Sequence, residues 1–229
     1  LIQRPMFRKA ITDIELKGNQ ISVSRNLDVS VVEAESQITE LNYSGVGLSK
    51  DPKVEKAKLP AFALAFYYHL FSQRSIPTEK ELFDRYITFS GKLEEDQVII
   101  EDERYSKEGL RARLLRTYPS LIRDFHFYLL LQDSGHFQSV GYSLCKDYYK
   151  GLDLSVKHAG IMYHLSVFIQ TKRSVEFKEK KYSRHDYQGI NEITIPLSFD
   201  SMKKLGSVFV CTNEHVQMVL EKIGERDLQ

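Results

Sequence analysis

Lys150-Gly-Leu-Asp-Leu-Ser-Val-Lys-His-Ala-Gly-Ile-Met-Tyr-His-Leu-Ser-Val-Phe-Ile-Gln-Thr-Lys-Arg-Ser174 is the stretch on which the fold turns. Leu152–Lys157 and Met162–Thr171 carry strand patterns, and His158-Ala159-Gly160 between them has turn composition, so the spacing predicts an antiparallel hairpin. Asp153 opens the first strand. Gln170 and Lys172 close the second and share a face, because side chains two apart on a strand point the same way. The hairpin would bring these three polar groups to one end of a sheet. Acid-x-Lys by itself selects nothing, since Glu15-Leu16-Lys17, Asp51-Pro52-Lys53, Glu176-Phe177-Lys178 and Glu179-Lys180-Lys181 match it equally well. Only Gln170-Thr171-Lys172 closes an apolar strand, Val167-Phe168-Ile169, opposite an aspartate that follows a glycine.

Working outward, the spacing predicts a basic helix over Ser106–Thr117 and a second helix that Pro119 starts, over Pro119–Asp133, with Leu121, Ile122, Phe125, Tyr128 and Leu129 on its apolar face. A strand over His136–Leu144 leads into the hairpin. After the charged Ser174–Tyr187 segment come a strand over Glu192–Pro196, a short helix over Phe199–Leu205, a strand over Ser207–Thr212 and a closing helix over Glu214–Ile223. This is an α/β (α+β) layout, a mixed central sheet flanked by helices. Upstream, Ile14–Leu16 and Ile21–Val32 read as strands around Gly18-Asn19. Leu59–Ser72 and Pro77–Tyr86 read as helices, an adjacent pair more in keeping with plain packing than with a helix-turn-helix. Glu94-Glu95-Asp96 and Glu101-Asp102-Glu103 crowd acids around three apolar residues, as a linker or solvated edge would. The boundary falls near residue 104, dividing a smaller α+β region, 1–103, suited to nucleic-acid or partner binding, from a main domain, 104–229.

Composition bounds the chemistry. The 229 residues are 42% hydrophobic, enough for a substantial core. A net charge of +1 confines any affinity for nucleic acid to local patches. Cys145 and Cys211 are too far apart in sequence for a Cys-x-x-Cys pair and have no zinc spacing, which points to a reducing, cytoplasmic setting without structural metal. No stretch approaches the roughly 20 apolar residues a membrane span needs.

A divalent ion such as Mg²⁺ or Mn²⁺ takes one or two carboxylates and further oxygens while keeping waters, so Asp153 suits an anchoring ligand and Gln170 a neutral one. A lysine beside such an ion stabilises phosphorane charge and orients the attacking water. One acid, one amide and one lysine on paired strands fit phosphodiester cleavage.

Over Pro119–Gln229 these residues resemble the PD-(D/E)xK nuclease superfamily, in the order helix, strand, strand with Asp, strand with x-Lys, strand, helix. The Gln-x-Lys form looks most like the Mrr-type restriction endonuclease branch, to whose late strand and helix the Gly206–Asn213 tail and the helix after it are also similar. The resemblance implies a restriction-endonuclease-like core, with Asp153 as metal ligand, Gln170 in the usual acidic position and Lys172 as catalytic lysine. Gln170 in place of Glu or Asp removes one negative ligand. Asp124 on Pro119–Asp133 is the substitute for the helix acid; its bland reading is a surface pair with Arg123. The implied activity is metal-dependent cleavage of DNA, with RNA not excluded, in host defence, restriction or mobile-element processing, by a homodimer or a subunit of a larger complex. The rival is a catalytically inactive nuclease-fold module that binds nucleic acid or protein. Arg111, Arg113 and Arg116, and Arg173, Lys178, Lys180 and Lys181 interleaved with Tyr182 and Tyr187, are candidate phosphate-backbone contacts; the second group serves equally as a solvated charged face. Gly-x-Ser-x-Gly, a Gly-rich phosphate loop and a Cys/His dyad signature are missing, which argues against esterases, nucleotide hydrolases and thiol enzymes.

Overall fold

The computed structural model describes residues 15–17, 20–21, 29–45, 47–170 and 189–227. The elements begin with β1 (Glu15–Lys17), β2 (Gln20–Ile21), α1 (Val31–Glu40), α2 (Pro52–Lys56), α3 (Phe62–Gln73) and α4 (Glu79–Ser90). Next come β3 (Lys92–Glu94), β4 (Gln97–Ile100), β5 (Glu103–Ser106), α5 (Lys107–Asp133), β6 (Ser139–Ser143) and α6 (Leu144–Lys150). The last are β7 (Leu154–His158), β8 (Ile161–Ile169), β9 (Glu192–Leu197), β10 (Lys203–Leu205), β11 (Val208–Val210) and α7 (Asn213–Asp227). The mixed α+β class expected from the pattern is the one observed. None of the described helices is long and apolar enough to cross a membrane.

The main sheet has the order β2-β1-β6-β7-β8-β9, antiparallel throughout except for the parallel β8–β9 pair. The expected hairpin forms with Leu154 opposite Leu165 and His158 opposite Ile161. Its turn is Ala159-Gly160, both with positive φ, the geometry that matches the twist of the flanking strands. Period-two alternation then puts Val140, Tyr142, Leu154, Val156, Tyr163, Leu165, Ile193, Ile195 and Leu197 in one buried cluster with the apolar side of α5. That cluster also takes in Ala34, Phe66 and Leu82, so it holds residues from both sides of position 104. On β9 the odd-numbered residues turn their backbone groups toward β8, as the Gln170 N–H donating to the Leu197 carbonyl shows (2.8 Å). Glu192, Thr194 and Pro196 therefore turn their backbone groups away from β8. There Pro196 has no N–H to offer, and the Glu192 carbonyl accepts from Arg226 Nη1 (2.6 Å).

Several local expectations are corrected. Pro119 does not separate two helices: α5 runs unbroken through it. Proline at 119 deprives the Leu115 carbonyl of its helical donor, and the Tyr43 hydroxyl supplies the missing bond (3.1 Å), while the buried face of α5 holds the helix in line. Of the strand expected over Ile21–Val32, Ile21 closes β2, residues 22–28 lie outside the described residues, and Ser30 and Glu33 form a reciprocal capping box that starts α1 at Val31. The strand over His136–Leu144 stops at Ser143, whose side chain caps α6. Phe199–Leu205 is a turn followed by β10, paired with β11, rather than a helix. The acidic 94–103 segment, expected as a linker or solvated edge, lies in the three-stranded β3–β5 meander, with Glu95, Glu101 and Asp102 exposed in its left-handed turns.

Leu165 is fully buried at the centre of the sheet, whereas Val32 is 77% exposed. Leu165→Ala is expected to cost about 2–5 kcal/mol by cavity formation, and Val32→Ala less than about 0.5 kcal/mol, in urea unfolding followed by circular dichroism.

Candidate functional site

Asp153 sits between the left-handed Gly151 cap of α6 and the first residue of β7. Its N–H donates to the Leu165 carbonyl (2.9 Å), and its Oδ2 accepts the Val167 N–H (2.6 Å), so the carboxylate continues the ladder beyond the backbone pairs. Register places Asp153 opposite Ser166. Gln170 lies four residues further along the chain that forms β8, about 13 Å at roughly 3.3 Å per residue, and is exposed. The strand pairing therefore sets Asp153 and Gln170 at one end of the sheet without facing them across it. Lys172, Arg173, Lys178, Lys180 and Lys181 lie outside the described residues.

A different set converges on the start of β7. Tyr67 of α3 and Tyr142 of β6 stack with ring centroids 4.0 Å apart, and the Tyr142 hydroxyl donates to Asp147 Oδ2 on α6 (2.9 Å). The Tyr67 hydroxyl is buried and has no hydrogen-bond partner among the described residues. Burial pushes the Tyr67 phenol well above its ordinary range, and the negative charges of Asp124, Asp147 and Asp153 push it the same way. Asp124, on the inner side of α5, is itself pushed up to about 7, first by burial and then by Asp147, with Arg123 opposing. The surface ion pair considered for Asp124 and Arg123 is replaced by something else: Arg123 is buried, and its Nε donates to the Phe209 carbonyl (3.3 Å). Among the described residues no three His, Cys, Asp or Glu side chains group closely enough to hold a metal ion. Asp124 and Asp147 feel one another's charge, with Arg123 opposing at Asp124 and the Tyr142 hydroxyl donating to Asp147. Asp147 carried no sequence signal, because its role arises from a short helix whose placement only the fold reveals.

The three candidate phosphate contacts in the first half of α5 are engaged internally. Arg111 pairs with Glu79 (3.2 Å), Arg113 donates to the carbonyls of Val54 and Ala57, and Arg116 pairs with Glu55, fastening α5 to α2 and α4. A Ser–His contact was not anticipated: His215 Nε2 lies 3.1 Å from Ser201 Oγ. It does not form a nucleophile and base. The Thr212 N–H donates to His215 Nδ1 (2.9 Å), so the proton of the neutral ring sits on Nε2 and is given to Ser201, whose own hydrogen goes to the Ser198 carbonyl (3.0 Å). Burial lowers the His215 pKa and keeps the ring neutral. Burial likewise pushes the Cys211 thiol far up, which leaves it inert as a nucleophile. No protein-family model, curated protein or solved structure matches the chain.

The raised Asp124 pKa has a thermodynamic sign. The folded state holds a proton that the unfolded chain releases near pH 4, so the Asp124 contribution to stability is full below that pH and is lost as pH rises through about 7. Asp124→Asn should therefore flatten the pH dependence between pH 4 and 8 and stabilise the protein most at pH 8, in urea midpoints compared at pH 5 and pH 8.

Proposed function

We propose that the protein is a metal-dependent endonuclease that hydrolyses phosphodiester bonds in DNA. The observation that carries this reading is the β7–β8 hairpin, which sets Asp153 and Gln170 at one end of the sheet. Carboxylates collected on a helix and on the first residues of a strand, at the end of the sheet toward which Gln170 and Lys172 run in sequence, support a Mg²⁺ or Mn²⁺ site. Asp153 and Asp124 are the proposed carboxylate ligands, Gln170 the neutral oxygen that the resemblance implies and Lys172 the group that orients the attacking water. The order α5, β6, β7, β8, β9, α7, with β8 and β9 parallel, agrees with the order that suggested a PD-(D/E)xK core. Restriction, defence or mobile-element cleavage in the cytoplasm is the proposed setting. Cutting both strands of a duplex calls for a second copy or a partner subunit.

One observation favours the second reading, a nuclease-like module that binds without cutting. Asp153 pairs opposite Ser166, and its Oδ2 already accepts the Val167 amide, which ties part of its ligand capacity to the sheet.

Plasmid and single-stranded substrates incubated with Mg²⁺ or Mn²⁺ separate the two. Cleavage is expected only with metal, falling by about 10²-fold or more in Asp153→Ala and Lys172→Ala. Absence of cleavage under every condition would exclude the enzyme, and cleavage that survives both substitutions would exclude the site.

A further inference from the structure

The β10–β11 hairpin turns one face inward and leaves the other to solvent. Leu205, Val208 and Val210 are buried, as is Met202 just before it. On the outer face Lys204 stands directly across from Phe209. Its ammonium lies 5.8 Å from the Phe209 ring centre. Phe199, in the preceding turn, meets Phe209 edge to face, with centroids 5.0 Å apart and planes at 72°. Phe199 is 49% exposed, and only it and Tyr68 are aromatic among the exposed large apolar side chains of the described residues. The neighbouring Lys203 is tied to Glu35 (2.7 Å), so the hairpin is anchored while Lys204 remains on its outer face. The Arg123 bond to the Phe209 carbonyl couples this surface to the residue beside Asp124.

A flat aromatic surface with a lysine at its edge, presented by a hairpin whose inner face is packed into the core, has the chemistry that holds an unpaired base. The ring stacks on the base, sequence-tolerantly because every base has a π-face, and the cation meets the adjoining phosphate. We infer that Phe199, Phe209 and Lys204 form a stacking platform for an unpaired nucleobase of single-stranded nucleic acid. The inference rests on the nuclease reading for the presence of nucleic acid at this end of α5, and on the hairpin itself for the mode of contact. A T-shaped pair leaves ring surface uncovered, and here that surface is on Phe199.

The chain contains no tryptophan, so Phe199→Trp places a single indole on the platform. Binding of labelled dT and rU oligonucleotides is measured by anisotropy with EDTA present, so that no cleavage intervenes. Phe199→Ala should weaken binding about tenfold and Lys204→Ala several-fold, with thermal unfolding unchanged because both side chains are at the surface. Phe199→Trp should retain affinity, and its emission should be quenched as the oligonucleotide binds. A backbone of abasic sugar phosphates should bind wild type about as weakly as the dT oligonucleotide binds Phe199→Ala. The tighter of dT and rU identifies the sugar. Wild-type affinity in Phe199→Ala for both oligonucleotides, an unquenched indole in the bound complex, or no binding by wild type would each overturn the platform; the first would leave the exposed ring to a protein partner. Quenching without cleavage in any metal would keep the platform and remove the nuclease. Asp153-dependent cleavage with no effect of Phe199→Ala on affinity would do the reverse.

Discussion

A proline near the middle of a long helix removes one backbone donor and crowds the carbonyl four residues before it. The protein keeps α5 whole by giving that carbonyl, on Leu115, to the hydroxyl of Tyr43. Most of what surrounds α5 depends on its continuity. Its first half receives α2 and α4 through Arg111, Arg113 and Arg116, and its second half lies in the core with the main sheet and presents Asp124. A bend at Pro119 would separate these two sets of contacts and move Asp124 away from Tyr67 and Asp147.

The same helix explains why negative charge accumulates where it does. Asp124 is fixed by the packing of α5, Asp147 by the Ser143 cap and the Tyr142 hydroxyl, and Asp153 by the Val167 amide. Each has a local structural reason to be in place. The Tyr67 and Tyr142 phenols and the Asp124 carboxyl are pushed upward first by burial, and the neighbouring aspartates add to it. Arg123 opposes the rise at Asp124, and the Tyr142 hydroxyl and the Val167 amide each take up part of the charge of Asp147 and Asp153.

How much of this was legible in the sequence depended on the range of the interaction. The β7–β8 hairpin could be read because alternation and the Ala159-Gly160 turn are both local. Its register was not read, because His158-Ala159-Gly160 looked like a three-residue turn, whereas His158 pairs with Ile161 and the two-residue turn assigns Ser166, and not Gln170, to Asp153. Ser30 and Glu33 carried a capping signature that the apolar pattern before them obscured. Pro119 looked like a break because Tyr43, which compensates for it, lies 72 positions from the Leu115 carbonyl that it serves. Lys203–Leu205 looked helical because three residues give too little pattern to distinguish a strand. Asp124 was identified from its helix alone, but its elevated pKa was not, because that comes first from burial in the fold and then from Asp147 on α6.

The β9 margin has a consequence for assembly. On the side of β9 that faces away from β8, Pro196 offers no N–H and the Glu192 carbonyl is taken by Arg226, so these two positions give an added strand nothing to pair with. There a second copy of the chain would have to associate through side chains. Such contacts can form and separate without disturbing the hydrogen-bonded frame that holds the acidic residues in position.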